Sequence, residues 1–167
     1  VGSWYCEQVA LSISTKRELQ VALSDVLDRV YHASPIVKNE LINRDKLSSQ
    51  AAAARNKLLA AMLHSRTESE LGIDKYPPER AIYLALLKAP GVHRRAGERW
   101  QFERPMRKDD FNLGPVWQRI EDFFADAQDA PKPFTALGDV LQAAPYGVKA
   151  GVLPILYIAA YLANEDE

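Results

Sequence analysis

The sequence is short of the residues from which most reactive sites are built. Its 167 residues hold one cysteine and three histidines. A single cysteine, Cys6, excludes an internal disulfide and suits a reducing compartment, so a cytoplasmic location is expected. His32, His64 and His93 lie far from one another and from Cys6 along the chain, and none forms a local metal-ligand pair. His32 and His64 read as helix-surface or last-turn residues, and Cys6 as a small apolar side chain. Excess charge is also lacking. Lys and Arg total 21 against 22 Asp and Glu, so no global field draws the chain to nucleic acid or to an anionic membrane. The longest apolar run, Val152 to Ala163, contains Pro154 and is too short to span a bilayer, so no membrane partner is expected.

Catalytic motifs are missing as well. Gly147 and Gly151 follow a helical pattern rather than a strand and lack the Lys-Ser/Thr of a phosphate loop. No serine stands in a G-x-S-x-G elbow. The paired acids Asp109-Asp110 and Glu121-Asp122 are sequence neighbours that point apart on a helix, and both pairs read as solvated charge. No catalytic, cofactor-binding or metal-ligating residue is assigned, and no cofactor is expected in this chain.

What the sequence does contain is helix. The pattern predicts a mainly α, compact multi-helix domain of seven helices and at most two short strands. Residues 1–13 mix aromatic and β-branched side chains and predict a short strand or extended arm. The abrupt start, without Met or a basic leader, reads as excision from a longer polypeptide. Residues 14–132 form the helical domain. Thr15 and Glu18 have capping-box spacing, followed by a helical period through Leu19, Val21, Leu23, Val26, Leu27, Val30 and Tyr31. Ser34-Pro35 stops that helix and starts a short one over Ile36–Asn43. Ser48 or Ser49 caps a helix over Ala51–Ser65, whose four consecutive alanines permit a close neighbour and whose Leu58, Leu59, Met62 and Leu63 face the core. Pro77-Pro78 opens a helix over Glu79–Lys88, ended by Pro90-Gly91. Another runs from about Pro115 to Ala127, with Val116, Trp117, Ile120, Phe123 and Phe124 inward.

Residues 133–167 form a C-terminal unit of helix-turn-helix, winged-helix-like form. A first helix from Phe134 carries Leu137, Val140 and Leu141, and Ala144-Pro145-Tyr146-Gly147 breaks it, with Gly147 supplying a positive φ. A second, from about Lys149 to Asn164, is ringed by Val152, Leu153, Ile155, Leu156, Tyr157, Ile158, Tyr161 and Leu162, and an all-round apolar helix is buried. This helix is the expected hub. It does not read as a DNA recognition helix, because it offers only Lys149 at its start and ends in Asn164-Glu-Asp-Glu.

One segment is locally basic. Between Val92 and Lys108 stand Arg94, Arg95, Arg99, Arg104, Arg107 and Lys108 against Glu98 and Glu103, interleaved with Trp100 and Phe102. Trp100-Gln101-Phe102 predicts a strand with both aromatics on one side. Guanidinium groups binding phosphate beside a stacking ring would make Arg94, Arg95, Arg99, Trp100, Arg104, Arg107 and Lys108 a nucleic-acid contact. The competing reading is a solvated loop whose aromatics plug the core and whose arginines pair with Glu98, Glu103, Asp109 or Asp110.

Three phrases carry a resemblance: NELINRDKLSSQAAAARNKLLAAML from Asn39, LGIDKYPPERAIYLALLKAPGVH from Leu71, and APYGVKAGVLPILYIAAYL from Ala144. Together, over most of the chain from about residue 19, they resemble an interior segment of very large bacterial P-loop ATP-binding proteins associated with restriction and phage-defence islands. The likeness is of helical phrases and transfers no catalytic residue. It implies a non-catalytic accessory or coupling domain whose partners are other domains of a parent protein, partner subunits or DNA, with the nucleotide site in a separate P-loop domain. The alternatives are a nucleic-acid-contacting module using residues 92–108 and a cryptic enzyme whose site is assembled from distant residues.

Overall fold

A computed structural model describes residues 3–6, 8–106, 108 and 110–165. Among them are six α-helices and four short strands, and the protein is mainly α. The chain divides into two compact units, the first ending at His32 and the second beginning at Ala33.

The first unit is a hairpin followed by a helix. β1 (Trp4–Cys6) and β2 (Val9–Leu11) pair antiparallel, with Trp4 opposite Leu11 and Cys6 opposite Val9. The expected arm is therefore a strand pair. α1 (Lys16–Val30) starts where the capping box predicts. Thr15 Oγ1 accepts from the Glu18 amide at 3.2 Å, and Glu18 Oε2 accepts from the Ser14 and Thr15 amides at 2.7 and 3.0 Å. Those two amides hold the Glu18 carboxyl below its ordinary pKa. None of the residues of α1 is buried.

The second unit holds the core. α2 (Ser49–His64) is capped by Ser48, whose hydroxyl accepts from the Ala51 amide at 3.2 Å. Ala51, Ala54, Leu58 and Met62 of α2 are buried, and the two alanines let it pack closely on α3 (Pro78–Tyr83) and α6 (Leu153–Asn164). Leu63 is exposed, contrary to its expected inward position, because it lies across the helix from Leu58 and Met62. α3 continues through a π-type turn over Leu84–Lys88 and stops at Gly91, whose φ is +73°. β3 (His93–Ala96) and β4 (Arg99–Phe102) form a second antiparallel hairpin, turning at Gly97 with φ +62°. α4 (Gly114–Asp129) buries Val116, Trp117, Ile120 and Phe123, and α5 (Phe134–Gln142) buries Leu137 and Leu141. α6 packs on α2, α4 and β4. Ile155, Leu156, Ala159 and Ala160 are completely buried, which makes α6 the hub, although Tyr161 is exposed.

Three sequence expectations are corrected. No helix forms over residues 36–43, and six helices stand where seven are expected. The segment spends its backbone on distant partners instead: the Ala33 amide donates to Pro145 O at 3.2 Å and the Ile36 amide to Phe111 O at 2.7 Å. Asn39 Oδ1 accepts from the Leu41 amide at 3.1 Å, a local turn that competes with helix, and Ile42 is driven into the core. The hub helix starts at Leu153 rather than Lys149, with Pro154 in its first turn. Residues 149–151 are pinned elsewhere. Lys149 Nζ donates to Asp45 Oδ2 at 3.0 Å, and the Gly151 amide donates to Arg44 O at 2.9 Å. The strand limit of two is exceeded because β3 reads His-Arg-Arg-Ala, without the apolar alternation that marks a strand. Gly147 has the expected positive φ, +61°.

Candidate functional site

The basic segment is built on the β3–β4 hairpin. Its register sets His93 opposite Phe102 and Arg95 opposite Trp100, so these four share one face. Arg94, Ala96, Arg99 and Gln101 occupy the other. His93 is completely buried and fixes the inner face. Its Nε2 donates to Arg66 O at 2.9 Å, since a carbonyl only accepts. Nδ1 therefore accepts from the Tyr83 hydroxyl at 3.0 Å. The imidazole lies 5.3 Å from the Trp100 ring and 4.7 Å from that of Phe102. Both aromatics thus lie on one side, as the strand pattern predicts, and Trp100 is half-buried against His93 rather than free to stack on both faces.

The cations of this segment divide into spent and unspent. Arg94 pairs with Glu103 and donates to Gly91 O and, at 2.8 Å, to Arg104 O. Arg104 pairs with Glu121 and donates to Gln118 Oε1 at 2.6 Å. Glu121 also accepts from Trp117 Nε1 at 2.8 Å, so this half-buried carboxylate is a tie between the hairpin exit and α4 rather than the solvated charge expected of it. Arg95, Arg99 and Lys108 are exposed, and Arg95 donates to Gly97 O at 3.1 Å. Arg95 and Arg99 stand on opposite faces of the hairpin. Arg107 and Asp109 lie outside the described residues.

His93 was passed over in the sequence because its partners, Arg66 and Tyr83, lie 27 and 10 residues away. Burial lowers its pKa from the ordinary 6.5, with the bond to Arg66 opposing in part. The unfolded chain therefore takes up this proton before the folded one does. Stability from this group is complete above about pH 6.5 and is lost as pH falls from there to the lower folded value. Urea unfolding is expected to show this decline between about pH 7 and pH 5, and His93→Gln is expected to remove most of it. An unchanged decline in that variant would assign it to another group.

A second cluster surrounds Glu70. Glu70, Leu71 and Gly72 run successively through left-handed φ of 52°, 56° and 64°. The turn buries Leu71 and aims the Glu70 carboxylate at Arg80, whose Nε and Nη2 donate to it at 3.0 and 2.6 Å. Lys88 pairs with the same carboxylate. Hydrogen bonds from Lys88 and then Arg80 hold its pKa below the ordinary value. The Arg80 guanidinium also lies 4.9 Å from the ring of Tyr76, which is 91% exposed. Among the described residues, no group of three or more His, Cys, Asp and Glu could hold a metal ion.

The largest irregularity is in the first unit. α1 carries a stripe of Leu19, Leu23, Val26, Leu27 and Val30 along one side. Leu23 is 52% exposed, Leu27 53% and Val30 44%, and Tyr31 extends the same surface. Leu19 and Val26 are half-buried. The sequence placed these side chains on a face of a helix in the helical domain, and the structure leaves most of that face open. A cleft on the other side, lined by Leu11, Ile13, Arg17, Val21 and Asp25, separates the helix from the chain that follows β2. No helix of the described residues is long and apolar enough to cross a membrane.

No protein-family model matches the sequence, and neither a curated protein nor a solved structure matches the chain.

Proposed function

We propose that the chain is a non-catalytic interaction module, an accessory or coupling domain that presents the apolar stripe of α1 to another protein surface. The observation that carries this reading is α1 itself: a capped helix with Leu23, Leu27, Val30 and Tyr31 open to solvent and no buried residue. Apolar stripes on helices form because something covers them. The resemblance to large bacterial P-loop ATP-binding proteins supports a setting inside a nucleotide-dependent assembly of restriction or phage defence, with the nucleotide bound by another domain. The α5–turn–α6 pair, helix-turn-helix-like in this reading, is a packing device: α6 turns buried apolar groups inward instead of base-reading ones.

The test is a stripe substitution. Leu23→Lys with Leu27→Lys is expected to leave the unfolding free energy of the dilute chain within about 0.5 kcal/mol of wild type, as for ordinary surface changes. Two lysines forced into a core would instead cost several kcal/mol, and that result would show the stripe to be interior. A second reading, nucleic-acid contact through Arg95, Arg99 and Lys108, is favoured by the exposure of all three cations. It would be preferred if the chain bound DNA or RNA in a salt-dependent way and Arg95→Ala with Arg99→Ala abolished that binding.

A further inference from the structure

A cavity of about 530 Å³ lies beside the exit of the β3–β4 hairpin. Its size falls within the roughly 300–1,000 Å³ usual for small-ligand sites. Arg94 of β3, Arg104, Pro105 and Met106 of the chain after β4, and Trp117 and Gln118 of α4 line it. One part of the wall is cationic and another apolar. No carboxylate is among the described residues that line the cavity. Glu103 and Glu121, which pair with the two arginines, stand outside that lining.

Pairing takes Arg94 and Arg104 out of a diffuse basic patch, but it also fixes them in place. A guanidinium carries five N–H groups in a rigid fork. Arg94 commits three of them, to Gly91 O, Arg104 O and Glu103, and Arg104 commits two, to Gln118 Oε1 and Glu121. Two N–H groups of Arg94 and three of Arg104 therefore remain without a partner among the described residues. The bond from Arg94 to Arg104 O, 2.8 Å long, ties the two residues together. Glu121 is itself held by Nε1 of the buried Trp117 at 2.8 Å, so Arg104 is anchored through it to the core. Burial lowers the pKa of the Arg94 guanidinium, and an anion within reach would offset that cost.

We infer that this cavity binds a phosphate monoester, with the phosphate on Arg94 and Arg104 and the organic group against Pro105 and Met106. Phosphate suits the site better than carboxylate does. It carries about two negative charges and three acceptor oxygens, which match two guanidinium forks, whereas a carboxylate fills one. Gln118 is already committed, since its Oε1 accepts from Arg104 at 2.6 Å and its Nε2 donates to Asp122 Oδ1 at 2.8 Å, and it serves to orient Arg104. The site is independent of α1 and of the exposed Arg95, Arg99 and Lys108, none of which lines it.

Titration of phenyl phosphate into the whole chain tests this, followed by calorimetry and by the arginine side-chain signals in NMR. Saturable one-to-one binding is expected. Arg94→Gln and Arg104→Gln are each expected to weaken it about tenfold or more, as removal of a charged hydrogen-bonding group does. Arg104→Lys is expected to fall between wild type and Arg104→Gln, because it keeps the charge and loses the fork. It also carries the test if the thermal midpoint of a glutamine variant shows that it does not fold. Arg95→Gln, outside the cavity lining, is expected to leave binding unchanged. Benzoate is expected to bind about tenfold more weakly than phenyl phosphate. The absence of saturable binding, equal binding by the arginine variants, or benzoate held as tightly overturns the inference. Displacement of phenyl phosphate by a single-stranded oligonucleotide, with the same dependence on Arg104, overturns it too and assigns the two arginines to a nucleic-acid backbone.

Discussion

Replacing Ile155 or Leu156 by Ala is expected to lower the unfolding free energy by about 2–5 kcal/mol, the usual combined cost of lost transfer energy and residual cavity. Both side chains are 0% exposed, on the one helix that packs against α2, α4 and β4 together. Neighbours on three elements cannot all collapse into the space. Urea unfolding with an unchanged slope and a lower midpoint is the expected signature. Wild-type midpoints in both variants would remove α6 from the centre of the fold. Tyr161→Ala on the exposed side of the same helix is the internal control, with a cost within about 0.5 kcal/mol.

Gly151→Ala is expected to be nearly as damaging, although it adds a single methyl group. A Cβ at this position would stand 2.9 Å from Arg44 O and 2.8 Å from Leu47 Cδ2, and closer still to Ile42 O. Two of those three atoms are backbone and cannot swing aside. Relief requires moving the segment 42–45 away, which breaks the bond from the Gly151 amide to Arg44 O and draws Ile42 out of the core. Overpacking of this kind costs about 1–3 kcal/mol, and more where backbone must shift. Gly97→Ala separates the steric effect from the conformational one. Nothing lies within 4 Å of a Cβ there, and only its φ of +62° is strained, a cost of about 1 kcal/mol. Equal effects at the two glycines, measured by thermal or urea unfolding, would contradict the close approach at Gly151.

Much of the fold is legible in the sequence where a local signal and the tertiary structure agree. The Thr15/Glu18 box starts α1, Ser48 starts α2 ahead of its alanines, and the period Val116, Trp117, Ile120, Phe123 buries α4. Legibility fails where distant partners decide. The stretch 36–43 looks helical by itself, but its amides are claimed by Phe111 and its own asparagine, and Arg44 O by Gly151. β3 is hidden because two arginines stand where alternation is sought. One of them, Arg94, is held by carbonyls and Glu103 that only the folded chain supplies. The candidate site is less legible still. Composition makes residues 92–108 a basic patch, whereas pairing removes Arg94 and Arg104 from it and the register sends Arg95 and Arg99 to opposite faces. Conversely, the periodicity of α1 announces an apolar face and says nothing of whether the chain itself covers it.

Hydrogen exchange of the dilute chain tests that last point most directly. Amides of α6 from Ile158 to Leu162 sit in the buried hub and should exchange only through global unfolding. If α1 is an open interaction surface, its amides from Leu23 to Val30 exchange through local opening, at least tenfold faster, a gap of about 1.4 kcal/mol or more. Protection of α1 equal to that of α6 at low concentration would show the stripe to be part of the chain's own core and would contradict the account.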